Sequence, residues 1–211
     1  MIIKLLDKFF KKYPTSSTNS IKQYYNKSII SNWTKEGKKL PAPHVFKQSI
    51  IQDYQKKFNT KVLVESGTYL GDKIFAQLPF YDKLYSIELG DQLWEMATKR
   101  FENNKKVSIL KGDSGRVLHD LVPQLSQPTL FWLDGHYSAG ITALGEKECP
   151  IYEELDAIFK SSLNHVVLID DARLFIGIND YPTIKDLSAY VLEKRPNATF
   201  EVIDDTIRIN Y

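Results

Sequence analysis

"VLVESGTYLGDK", residues 62–73, decides how this chain is read. Three apolar residues run into Glu65, and two glycines, Gly67 and Gly71, then bracket a Thr-Tyr-Leu stretch. The pattern is that of a buried strand leaving through an acid and a glycine turn toward a helix. Glycine-rich turns of this kind also arise from packing alone. The meaning of Glu65 therefore depends on what ends the other strands.

Outward from this stretch, short apolar runs alternate with helical patterns. The runs "KVLVE" (61–65), "KLYSIE" (83–88), "VSIL" (107–110), "TLFWLD" (129–134) and "HVVLID" (165–170) read as strands. Helical stretches are expected near 71–78, 91–103, 115–125, 150–161 and 182–195. Strands apolar throughout and separated by helices imply a parallel sheet covered on both faces. The tail "ATFEVIDDTIRINY" (198–211) reads instead as two strands joined by a tight Asp204-Asp205 turn. The expected fold is α/β: a Rossmann-like, doubly wound sheet of five parallel strands closed by an antiparallel hairpin.

Upstream, Val45, Phe46, Ile50, Ile51, Tyr54 and Phe58 fall near helical spacing, so a helix over 44–58 precedes the first strand. "NWTKEGKKLPAPHV" (32–45) has the punctuation of a loop, and "PTSSTNS" (14–20) that of a short linker. We divide the chain into a basic N-terminal helical extension, 1–43, and a main domain, 44–211.

Ligands of open parallel sheets sit beyond the carboxyl ends of the strands, where strand order reverses. The residues expected there are Glu65-Ser66-Gly67, Glu88, Gly112-Asp113-Ser114, Asp134-Gly135-His136 and Asp170-Asp171. One such acid is readily a helix cap. Five crowded on one edge would repel one another without cationic or hydroxyl-rich partners. Glu88 lies where an acid after the second strand holds ribose hydroxyls in nucleotide-binding folds. A dinucleotide site would carry G-x-G-x-x-G and bind pyrophosphate at the helix start. Here Tyr69 takes the middle glycine position, and Glu65 would repel a phosphate. The edge suits a cationic ligand carrying ribose and adenine.

On these residues the chain resembles the class I S-adenosylmethionine (SAM)-dependent methyltransferases over roughly residues 44–211. Glu65-x-Gly67-x-x-x-Gly71 stands for the family's first motif, with Ser66 and Thr68 inside it. Glu88 matches the ribose-binding acid, and Asp113-Ser114 the adenine-side position. The closing hairpin is also the family's usual ending. The resemblance implies SAM as cofactor, held by these residues together with Asp134.

Asp134, Asp170 and Asp171 are expected to converge as a hard-oxygen site with no lysine among them, suited to Mg²⁺ or a similar ion. This arrangement is similar to the metal-dependent O-methyltransferases of the catechol and sugar types. The resemblance implies a metal that orients and acidifies an acceptor hydroxyl. His136 is the candidate general base, with metal contact or a structural hydrogen bond as its other readings. Arg173, just past the Asp pair, could instead neutralise Asp170 or Asp171 and replace the metal. "SAGITALGEKECP" (138–150) reads as a lid or an inert connection, and Tyr137 and Tyr181 as candidates for the acceptor pocket.

Composition sets outer limits. The chain has 211 residues, 43% hydrophobic and 26% charged, with a net charge of +2. Residues 1–61 carry 13 lysines against three acids, whereas the remainder is acidic. The scattered lysines read as a solvated face, or as an arm for an anionic partner. The single Cys149 excludes an intramolecular disulfide, and no catalytic cysteine motif surrounds it. No apolar run is long enough to span a membrane, and a cytoplasmic protein with a small-molecule substrate, and with self-association open, is expected. Nucleic acid is not an expected partner, because the signatures of base-amine and cytosine-carbon methylation are missing. Two rival readings stay open: a nicotinamide-dependent oxidoreductase, and a non-catalytic SAM-binding partner module.

Overall fold

The computed structural model describes residues 16–135 and 148–211, with side chains described from residue 23 onward. The chain forms two compact units, divided between Lys47 and Gln48.

In the first unit, helix α1 runs Ser16–Lys35. It takes in Ser16–Ser20, expected above as linker, and the start of the expected loop at 32–45. A run of Ser, Thr and Asn suits a helix start as well as a turn, and the longer "IKQYYNKSII" carries the helix on. The helix ends at Gly37 and Lys38, both with positive φ. Trp33 packs against Phe46 with ring centroids 4.5 Å apart, and its indole N–H donates to the Lys39 carbonyl at 2.7 Å.

The second unit begins inside helix α2 (His44–Phe58). It continues as β1 Val62–Ser66, α3 Asp72–Gln77, β2 Lys83–Glu88, α4 Asp91–Phe101, β3 Val107–Lys111 and α5 Ser114–Leu121. Then come β4 Thr129–Leu133, α6 Ile151–Phe159, β5 Val166–Ile169, α7 Ile184–Lys194, β6 Thr199–Ile203 and β7 Thr206–Asn210. Short 3₁₀ turns occupy Val122–Gln124 and Ala172–Leu174. One seven-stranded sheet results, in the order β3-β2-β1-β4-β5-β7-β6. The first five strands are parallel, and β7 is antiparallel to both β5 and β6. Asp204 and Asp205 both take positive φ in the hairpin turn, a backbone that suits short polar side chains.

The sheet owes its burial to strands that are mostly apolar: β1, β4 and β5 are buried at every position, Glu65 and Ser66 at the end of β1 included. One face, with Val64, Phe131, Leu133, Val167 and Ile169, packs on Leu118 of α5, Leu155 and Ile158 of α6 and Leu187 of α7. Emptying one such position, as in Leu118→Ala, costs about 2–5 kcal/mol. Strand order reverses between β1 and β4. Register decides what stands at that point, because Ser66 pairs with both Ile87 and Leu133, and Leu133 with Ile169. Glu88, Asp134 and Asp170 thus leave their strands at one level, around the end of β1.

Candidate functional site

Glu65 is the last but one residue of β1 and is 1% exposed. Its partner across β2 is Ser86, whose hydroxyl donates to Glu65 Oε2 at 2.6 Å and lies 2.6 Å from the Thr68 hydroxyl. Oε1 makes no hydrogen bond among the described residues. Burial pushes the Glu65 carboxyl from its ordinary 4.5 up to about 7, against the opposing pull of Lys73.

Ser66 and Thr68 have internal partners. The Asp134 N–H donates to Ser66 Oγ at 3.2 Å, tying the end of β1 to the end of β4. Gly67 (φ 81°) sits in the same seam, where a Cβ would come within 2.3 Å of the Asp134 carbonyl oxygen. Glycine is therefore required there by the approach of two strand ends, whatever ligand binds nearby. Gly71 (φ 73°) is closed in by the Phe101 ring, 2.7 Å from a would-be Cβ.

Glu88 clips the glycine loop. Tyr69 N–H donates to Oε2 at 2.8 Å and Gly90 N–H to Oε1 at 2.9 Å. A carboxylate offers about four lone-pair positions, so acceptor positions remain beyond these two bonds. The clip also steadies Tyr69, whose φ of 50° is costly for an aromatic residue. Asp113 is the N-cap of α5, its Oδ1 accepting from Arg116 N–H at 3.3 Å, and Ser114 is buried beside Gly135.

The β4 and β5 ends differ from expectation. Lys73, in the first turn of α3, sends its ammonium back over the sheet edge. Nζ donates to Asp134 Oδ2 at 2.8 Å, lies 3.6 Å from Glu65 Oε1 and stands 4.7 Å from the Trp132 ring centroid. Burial pulls the Lys73 ammonium toward losing its proton, but Asp134, Glu65 and Asp170 together hold it above the usual lysine range. At β5, Asp170 Oδ1 accepts from the Asp171 N–H at 2.8 Å, while Asp171 takes φ 54°. Arg173 Nη1 donates to Asp171 Oδ1 at 2.8 Å and also pairs with Asp205 in the hairpin turn.

The expected lysine-free trio is thus corrected. Asp171 has Arg173 against it, the alternative to a metal raised above, and Asp134 has Lys73, which was not expected. Among the described residues, no group of three or more His, Cys, Asp or Glu is placed to hold a metal ion. As a donor set, these three aspartates do not fit a divalent cation. They do fit a compensated rim, because buried carboxylates are stable only when paired.

The Glu88 side fits SAM better. A ribose-bearing ligand suits a carboxylate with spare acceptor positions. His136, Tyr137 and residues 138–147 of the expected lid lie outside the described residues. Tyr181 packs edge-on against Phe175 with centroids 5.3 Å apart. Both line a small hollow of about 10 Å³, room for little more than one water, with Leu133, Gly135, Ile169 and Asp170. Cys149 borders it too, but burial pushes its thiol up to about 12, which removes it as a nucleophile.

Two residues escaped the sequence reading. Lys73 stands inside the opening stretch, two residues past Gly71, and a first-turn lysine there is placed to reach the strand ends. Ser86 becomes visible once β1 and β2 are aligned, since it falls opposite the buried acid.

No protein-family model and no curated protein sequence matches the chain. Solved structures do match its fold. The SAH-bound methyltransferase PaMTH1 of Podospora anserina aligns with TM-score 0.57 at 14% identity, covering 93% of this chain and 96% of that one. The O-methyltransferase TomG of Streptomyces achromogenes, involved in tomaymycin synthesis and solved with SAM, aligns with TM-score 0.58 at 15% identity, covering 88% and 87%. An O-methyltransferase of Bacillus cereus in complex with SAH aligns with TM-score 0.58 at 13% identity, covering 100% and 99%. At such identities the likeness is one of architecture, and the chain has the fold of the SAM-dependent methyltransferases.

Proposed function

We propose that the chain is a SAM-dependent methyltransferase, transferring a methyl group to the oxygen of a small hydroxylated acceptor. Glu88 carries the proposal. It ends β2, next to the β1–β4 switch point of the sheet, its carboxylate is held by two backbone N–H groups, and acceptor positions remain for vicinal hydroxyls. The structural relatives support the choice of ligand, since PaMTH1, TomG and the Bacillus cereus protein were solved with SAH or SAM. When bound, the cofactor supplies a methyl group on a sulfonium, which needs no redox partner.

The protein's part in such a transfer is to position and exclude. Glu88 is the proposed holder of the ribose. The hollow between the β4 end and Phe175–Tyr181 is the proposed acceptor side. Sugars and nucleotide-linked sugars are the first acceptors to try, with residues 44–211 as the proposed catalytic part and 1–43 as a basic extension. His136 remains the proposed base.

Calorimetry tests the reading. SAH binds the full chain and NADH gives no heat; NADH binding without SAH binding would replace the methyltransferase with an oxidoreductase. Binding of SAH without methyl transfer to any acceptor in a panel of phenols, sugars and nucleotide sugars would favour the partner-module reading.

A further inference from the structure

Acids gather at the ends of all five parallel strands, and the β4 and β5 acids meet side-chain cations. Lys73 is held on three sides. Asp134 accepts its hydrogen bond at 2.8 Å, Glu65 Oε1 is 3.6 Å away, and the face of Trp132 lies 4.7 Å from Nζ. Two carboxylates and an aromatic face form a cage for a single positive charge. The side chain is 12% exposed, so little water shares the cage. On the β5 side Arg173 bridges Asp171 and Asp205.

We infer that Lys73 is the resident cation of this rim: its ammonium fills the place a divalent ion would need, so the proposed transfer runs without one. The inference deepens the methyltransferase reading and rests on it for the nature of the site. Two observations carry it. The lysine reaches Asp134, the acid that the sequence assigned to a metal. Arg173 removes a second member of the same trio. A divalent ion would have to enter beside a fixed positive charge, whose repulsion in a poorly hydrated cage opposes it strongly. Lys73 acts on the acceptor through Asp134 and is a positioning residue.

The test is Mn²⁺ binding to the full-length protein, read by electron paramagnetic resonance of the free ion, beside SAH binding by calorimetry. Wild type is expected to bind Mn²⁺ no tighter than about 1 mM. Lys73→Met keeps the stem but removes the charge, and it gains at least about tenfold in Mn²⁺ affinity, the worth of one pKa unit of interaction. Lys73→Arg behaves as wild type. Wild-type Mn²⁺ binding in the micromolar range that Asp134→Asn abolishes would overturn the inference. So would a folded Lys73→Met, judged by circular dichroism, with no gain in Mn²⁺ affinity. If Lys73→Met does not fold, wild type and Asp134→Asn alone decide. Failure of SAH to bind wild type would overturn the methyltransferase reading while the Mn²⁺ arms still judge the lysine.

Discussion

The two halves of the sheet edge bear the same residue type and treat it in opposite ways. On the β2 side, Glu88 is held by the N–H groups of Tyr69 and Gly90, neutral donors that leave its charge in place. On the β4 and β5 side, Asp134 and Asp171 are met by Lys73 and Arg173, whose charges cancel theirs. A carboxylate bound only to backbone keeps a negative field and free lone pairs, which suits hydroxyls and a cationic ligand. A carboxylate bound to an ammonium has spent its field locally. Five acids in sequence are thus not five equivalent ligands, and the partners decide what each can do.

The largest effect is expected where the halves touch. Gly67→Ala drives a Cβ to 2.3 Å from the Asp134 carbonyl oxygen at a φ of 81°, and costs about 3 kcal/mol of stability in denaturant unfolding. An unchanged midpoint would mean the β1 and β4 ends do not approach as described. Next comes Glu88→Ala, which removes the ribose acceptors and the loop clip together. SAH affinity falls about 100-fold, in line with losing hydrogen bonds to a charged group. Asp113→Ala, which removes only a helix cap, leaves that affinity within about threefold. Equal losses for the two variants would show that Glu88 has no special part in holding the cofactor.

The legible part of the molecule is the part set by periodicity. All five parallel strands, the hairpin with its Asp204-Asp205 turn and the helix at 44–58 stand within about two residues of their expected bounds, because buried strands here are mostly apolar. The linker at 14–20 misled, since Ser, Thr and Asn mark helix starts and turns alike. At the site, the acids were visible, and so was Arg173 beside the Asp pair, but Lys73 as a partner of Asp134 and Asp205 as a second partner of Arg173 were not. Lys73 lies 61 residues from Asp134, and Arg173 lies 32 from Asp205. Pairings at that separation follow from strand order, not from local pattern. Lys73 was in plain sight, yet nothing local shows which way a helix's first turn aims a long side chain.

Arg173→Gln addresses the compensated half. The substitution leaves Asp205, whose side chain is 1% exposed, with only the Arg173 N–H and the turn around it. The expected loss is about 2 kcal/mol, read as a lower unfolding midpoint, with SAH affinity unchanged. A loss of SAH affinity instead would tie the β5 side to the cofactor.

The finest test is the pH dependence set by Glu65. Its folded value, about 7, is above its ordinary 4.5 because burial opposes ionisation more than Lys73 favours it. Between those values the native state holds the proton more tightly than the unfolded chain. Stability contributed by neutral Glu65 is therefore present below about 4.5 and lost as pH rises toward 7. Glu65→Gln keeps the shape and the Ser86 contact but cannot ionise, so its stability declines less over that interval and exceeds wild type's at pH 8. Lys73 and Asp134 face the same group and are common to both proteins, so the difference between the two curves isolates Glu65. Parallel stability curves for the two proteins would show that Lys73 holds Glu65 ionised in the folded state. The β1 acid would then belong with Asp134 and Asp171 on the compensated side of the edge.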